Sequence, residues 1–145
     1  MYKKILVPMD GSARAEAILP HVEGLAACTG ATLLLLHIID PPLTLVSPYD
    51  VMPSLSMEDL QEQKRQVESY LETVQKRLQG KGITTECLTE YGAVVTTIIE
   101  IAVRENVDLI AMASHGRTGL SRVFYGSVAA GILHQVDRPL LLVRA

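Results

Sequence analysis

The chain is predicted to be an α/β domain, a three-layer open sheet of five parallel strands with helices on both faces, forming a single unit over residues 1–145. Three observations lead there. Nearly half of the residues (48%) are apolar, enough for one core in 145 residues and too many for a disordered chain. Short apolar runs alternate with segments of helical period along the whole length. The run Leu33-Leu34-Leu35-Leu36-His37-Ile38-Ile39 is almost unbroken, the pattern of a strand covered on both faces.

Ile5-Leu6-Val7 reads as the first buried strand, ended by the turn Pro8-Met9-Asp10-Gly11. Ser12 is placed to cap a helix whose apolar face is Ala15, Ile18, Leu19, Val22, Leu25 and Ala26, stopped at Thr29-Gly30. The second strand runs from Thr32 to Ile39. The stretch from Asp40 to Ser56 holds four prolines and no period, so it reads as a long loop, apolar enough to be a lid, a docking surface or a cover over the sheet edge. Ser56-Met57-Glu58-Asp59 resembles a capping box, and Met57, Leu60, Val67, Leu71, Val74 and Leu78 mark the second helix, closed by Gly80 and Gly82. Ile83 to Thr89, mixed with Thr and Glu, suits an edge strand. Tyr91-Gly92 leads into a third helix through Val94, Ile98, Ile101 and Ala102, ended by Asn106. Val107 to Ala113 is the fourth strand, Ser114 to Tyr125 a polar glycine-containing segment, Ser127 to Val136 the fourth helix, and Pro139 to Val143 the last strand.

Composition excludes several functions. A net charge of -3 without a basic run, with five Tyr, one Phe and no Trp, makes nucleic acid a poor partner. No apolar stretch reaches the length of a membrane span, and Met1-Tyr2-Lys3-Lys4-Ile5 runs directly into a strand pattern, so a cytoplasmic location is expected. Cys28 and Cys87 lie far apart and read as buried free thiols. The four histidines lack metal-binding spacing; His37, inside an apolar strand, reads as a core or rim residue.

In an open sheet of this kind ligands sit outside the carboxyl ends of the strands, where crossovers diverge. Two segments qualify: Pro8 to Ser12, and Ala113 to Ser127. In the second, Gly116 and Gly119 permit close backbone approach, and Gly126-Ser127 opens a helix whose first amides are unpaired and favour anions. Arg117 and Arg122 can supply charge. The same residues also suit an ordinary surface loop with turn glycines and a serine cap. Asp10 stands alone, which fits hydrogen bonding to two hydroxyls; a general base or a magnesium ligand is the other reading. No Walker motif, Gly-x-Gly-x-x-Gly or Gly-x-Ser-x-Gly occurs, and Ser114-His115 are adjacent, which prevents a serine-hydrolase geometry.

The spacing from Ala113-Ser114-His115-Gly116 through nine residues to Gly126-Ser127 resembles the Gly-x-x-Gly, nine residues, Gly-Ser/Thr pattern of universal stress proteins, with Ala113 in place of the first glycine. The resemblance covers the full chain: a lysine pair before the first strand, Pro-x-Asp-Gly-Ser after it, Leu-His-Ile-Ile-Asp at the second, and Arg-Pro-Leu-Leu-Leu-Val at the end. It implies an adenine nucleotide alpha-hydrolase-like (Rossmann-like) fold with strand order 3-2-1-4-5, a role as a nucleotide-dependent regulatory module in stress response, and ATP, or else ADP or AMP, as ligand, with or without Mg2+. By that resemblance Asp10 binds ribose hydroxyls, Pro8 and Ile38 border the adenine, and Met112 with Ala113 line the floor. Gly116, Arg117, Gly126, Ser127 and Val128 hold the phosphates. His115 either contacts the ligand or shapes the turn. A methyl at Ala113 crowds the ligand if the backbone there requires positive φ and is tolerated if it is strand-like. The resemblance also implies a homodimer through the last strand, which as an apolar edge needs covering, and leaves room for a protein partner under regulation. Two rival readings are a slow ATPase or adenylate-transferring enzyme, and a ligand-free interaction protein with a closed pocket.

Overall fold

The computed structural model describes residues 1–40, 57–114 and 126–145. Five strands, β1 (Lys4–Pro8), β2 (Thr32–Ile39), β3 (Thr85–Tyr91), β4 (Leu109–Ser114) and β5 (Leu140–Arg144), pair in parallel as β3-β2-β1-β4-β5, the expected order. Four helices join them: α1 (Leu19–Thr29), α2 (Met57–Gly80), α3 (Val94–Arg104) and α4 (Ser127–Gln135).

Strand alternation sends side chains to two cores. Ile5, Val7, Leu33 and Leu35 pack with Leu19, Val22 and Ala26 of α1 and Leu71, Val74 and Leu78 of α2. Leu6, Leu34, Leu36, Ile110 and Met112 pack with Ile98, Ile101 and Ala102 of α3 and Ala129 and Ile132 of α4. Ile5, Leu6 and Val7 are therefore fully buried from both sides, each contributing about 2 kcal/mol of apolar burial. The crossover that leaves β1 runs through α1 on one face, and the one that enters β4 runs through α3 on the other. The boundary between β1 and β4 is thus where the connections diverge.

Several boundaries differ from those expected. The first helix is broken: a 3-10 turn, Ala15–Ile18, precedes α1, with Pro20 in the first turn of α1. Proline has no N–H to offer the Glu16 carbonyl, so α-helical pairing cannot run through this point. Ser12 caps the turn, its Oγ accepting from the Ala15 amide at 3.1 Å. β4 starts at Leu109 because the Val107 amide is taken by the Ala102 carbonyl, and it continues through Ser114. β3 begins at Thr85 and β5 at Leu140, each later than the apolar run suggests. Arg138 donates to the Ala102 and Val107 carbonyls at 2.6 and 3.1 Å, which fixes the entry to β5 against the end of α3.

The thiols are free, but they do not share the buried setting expected of them. Cys28 is exposed on α1, whose apolar face is taken by Leu19, Val22 and Ala26. Cys87 is half-buried; its Sγ donates to the Leu71 carbonyl at 3.6 Å, and burial pushes the thiol up to about 11. The Ser56 cap and nearly all of the 40–56 loop lie outside the described residues. No described helix is long and apolar enough to cross a membrane.

Candidate functional site

A cavity of about 810 Å³ opens at the carboxyl ends of β1, β2 and β4, within the size range of small-molecule sites. Its floor is apolar, formed by Leu36 and Ile38 of β2 and Met112 and Ala113 of β4. β1 contributes Pro8, then Met9 and Asp10 beyond its end. Gly126, Ser127, Val128 and Ala129 bring the N-terminus of α4 to the same cavity, and Val94 and Ile98 of α3 complete a wall.

Asp10 is held by its own turn. Its Oδ1 accepts from the Ser12 amide at 2.8 Å and from Ser12 Oγ at 2.6 Å, and Gly11 supplies the positive φ of 83° that lets the chain fold back. The same Ser12 hydroxyl caps the 3-10 turn, so one residue both fixes the carboxylate and starts the next element. His37 stands close enough to Asp10 for that residue's main chain and carboxylate to raise its value, while its Nδ1 is buried with no partner among the described residues. Burial holds the imidazole below its ordinary value, only partly offset by Asp10. His37 is thus a neighbour of the turn that carries the acid.

At α4, Gly126 stands in extended conformation (φ -48°, ψ 153°), its carbonyl accepts from the Ala130 amide at 3.0 Å, and no side chain among the described residues caps the helix. The first amides of α4 are of the kind that bind anions, and the cavity lies in front of them. Ala113 is a paired β4 residue, opposite Val143, and Asn106 is the one described non-glycine with positive φ. The backbone at Ala113 is therefore strand-like, and its methyl fits without strain. Ser114 turns its hydroxyl to the Val143 carbonyl at 3.4 Å.

Of the residues singled out from the sequence, Pro8, Asp10, Ile38, Met112, Ala113, Gly126, Ser127 and Val128 line this one cavity. His115, Gly116 and Arg117 lie outside the described residues. Met9 and Ser12 belong to the Pro8 to Ser12 segment that the sequence places at the ligand site, and both line the cavity; Arg14, Ala15, Leu36, Val94, Ile98 and Ala129 are lining residues that the sequence reading missed. Arg14, just beyond the Asp10 turn, is the one cation among the described lining residues. Val94 and Ile98 stand four apart on one helical face, a signal that marks them as buried without telling core from cavity wall. No three His, Cys, Asp or Glu residues cluster as metal ligands among the described residues.

Comparison with known proteins adds to this geometry. The family model described as the universal stress protein family matches residues 1–144. Universal stress protein MJ0577 of Methanocaldococcus jannaschii is 30% identical, the match covering 99% of this chain and 96% of that one. The solved structure of MJ0577 superposes with a TM-score of 0.81 at 29% identity, over 100% of this chain and 97% of its own. Two more distant structures share the fold: a universal stress protein in complex with cAMP (TM-score 0.72, 19% identity, 99% and 97% covered) and one from Archaeoglobus fulgidus in complex with dAMP (TM-score 0.66, 18% identity, 97% of both). A match of the family model to all but the final residue, and a relative this similar over nearly its whole length, establish that the chain belongs to the universal stress protein family.

Proposed function

We propose that this chain binds an adenine nucleotide, ATP by preference, in the cavity at the ends of β1 and β4, and acts as a regulatory module whose presented surface changes with occupancy. The observation that carries the reading is that Asp10 and the α4 N-terminus line one apolar-floored cavity. A nucleotide asks for those three things together: a flat apolar surface for the base, an acceptor for ribose hydroxyls and amide donors for phosphate oxygens. Arg14 adds a positive charge suited to the same anion. Relatives of the same fold hold cAMP and dAMP, which supports the adenine class.

In this reading Asp10 takes the ribose, Pro8 and Ile38 border the base, Met112 and Ala113 lie beneath it, and Ser127 and Val128 meet the phosphates together with Gly116 and Arg117. Mass spectrometry of gently purified protein is expected to detect co-purified adenine nucleotide. Gly116→Ala combined with Gly126→Ala is expected to abolish ATP binding in calorimetry while leaving the circular dichroism spectrum unchanged. Unaltered affinity in that double variant would remove the proposal. We also infer a homodimer: β5 is an edge strand whose Leu140, Leu141, Leu142 and Val143 remain partly exposed, and pairing with a second copy would cover them.

A further inference from the structure

Resting on that nucleotide-binding reading, we propose that Gly131 is a positioning residue for nucleotide recognition: its contact with Val95 sets how closely the α4 N-terminus stands to the α3 wall of the cavity. Glycine is a poor choice within a helix, because it loses more backbone freedom than alanine does. Gly131 sits inside α4, and it is not among the glycines of positive φ, so backbone conformation does not explain it. Space does. A Cβ built at Gly131 would lie 2.8 Å from Val95 Cγ2, 3.1 Å from Cγ1 and 3.5 Å from its Cβ.

The shortest of these separations is closer than real methyl groups approach, so something must move. Val95 is branched at Cβ and has one strongly preferred rotamer in a helix, so it cannot readily swing aside. The strain then falls on the spacing of α3 and α4. Both helices are cavity walls at this point: Val94, next to Val95, and Ile98 on one side, Gly126 to Ala129 on the other. Ser127 lies four residues before Gly131, hence on the same side of α4. A displacement forced at Gly131 therefore reaches the amides at the helix start.

The test is calorimetric titration with ATP, with thermal unfolding in parallel, on the wild type, Gly131→Ala and Gly131→Ala/Val95→Ala. Gly131→Ala is expected to stay folded, since alanine favours helix, and to bind ATP about tenfold more weakly, the scale of one impaired charge-assisted hydrogen bond. Removing the Val95 methyls reopens the space, so the double variant is expected to bind within about threefold of wild type. A general loss of structure would not be reversed by a second truncation. Wild-type affinity in Gly131→Ala overturns the inference, as does a double variant as weak as the single. Should Gly131→Ala fail to fold, the double variant decides alone: near wild-type affinity supports the contact, and weak binding overturns it. A wild-type chain that binds no adenine nucleotide removes the functional reading itself and this inference with it.

Discussion

His37 connects the core to the Asp10 turn, and its setting gives the protein a dependence on pH. Burial lowers its value from the ordinary 6.5, and the Asp10 main chain and carboxylate raise it less than burial lowers it. The unfolded chain then takes up a proton that the folded chain resists. The neutral ring contributes stability in full above 6.5, and that stability is lost as pH falls through the lowered folded value. Urea unfolding is expected to show stability declining as the pH is lowered below about 6.5, and His37→Gln, which does not titrate, is expected to flatten the decline. Glu105 and Asp108, both held low by hydrogen bonds, act in a more acidic range below 4.5 and do not confuse the measurement. At this scale the sequence was informative where a residue had one job. Asp10, standing alone after a buried strand, was legible as a residue at the carboxyl end of the sheet, and it lines the cavity. Arg14 was not, since nothing in a turn after Gly-Ser distinguishes an arginine that faces a cavity from one that faces water.

Between elements, the junction from β3 to α3 depends on Gly92. Its φ of 146° is one that side-chain-bearing residues rarely adopt, its amide donates to the Ile39 carbonyl at 3.1 Å, and an added Cβ would lie 2.6 Å from Thr97 Oγ1. Thr97 is itself buried in α3. Gly92→Ala is expected to cost about 1–3 kcal/mol in chemical denaturation, and adding Thr97→Ala to recover only the part due to the clash, because the backbone strain persists. A variant as stable as wild type would show that this junction tolerates another path. Periodicity located every helix and strand that the structure describes, since each has one face in a core. It failed at ends, where hydrogen bonding decides. Pro20 splits the first helix although the apolar positions Ile18, Leu19 and Val22 run through it unbroken. Val94 and Ile98 show the complementary failure: an amphipathic pattern records burial and says nothing about whether a helix end faces protein or a hollow.

For the whole molecule, alternating strands and helices with right-handed crossovers give an open parallel sheet, and its order, β3-β2-β1-β4-β5, which the family resemblance implied, puts the cavity where β1 meets β4. The covered sheet was readable because its inner strands are apolar on both faces, and the order of its strands only through the resemblance; the cavity's outline was not readable, because it is assembled from segments distant in sequence. The proposed dimer belongs to this scale. Sedimentation equilibrium is expected to return a dimer, and a monomeric mass at every concentration tested would discard pairing through β5.

The end of β1 remote from the cavity is fastened on several sides. Asp108 accepts from the Lys3 and Lys4 amides at 2.6 and 2.9 Å, and Lys4 Nζ reaches Glu105 at 3.0 Å and Glu86 at 3.3 Å. These contacts tie the start of the central strand to the edge of β4, the end of α3 and the start of β3. A strand anchored in this way cannot slide along its own axis, so Asp10 is carried on a stationary beam. Any tightening around a guest must come from the surrounding walls moving towards the acid.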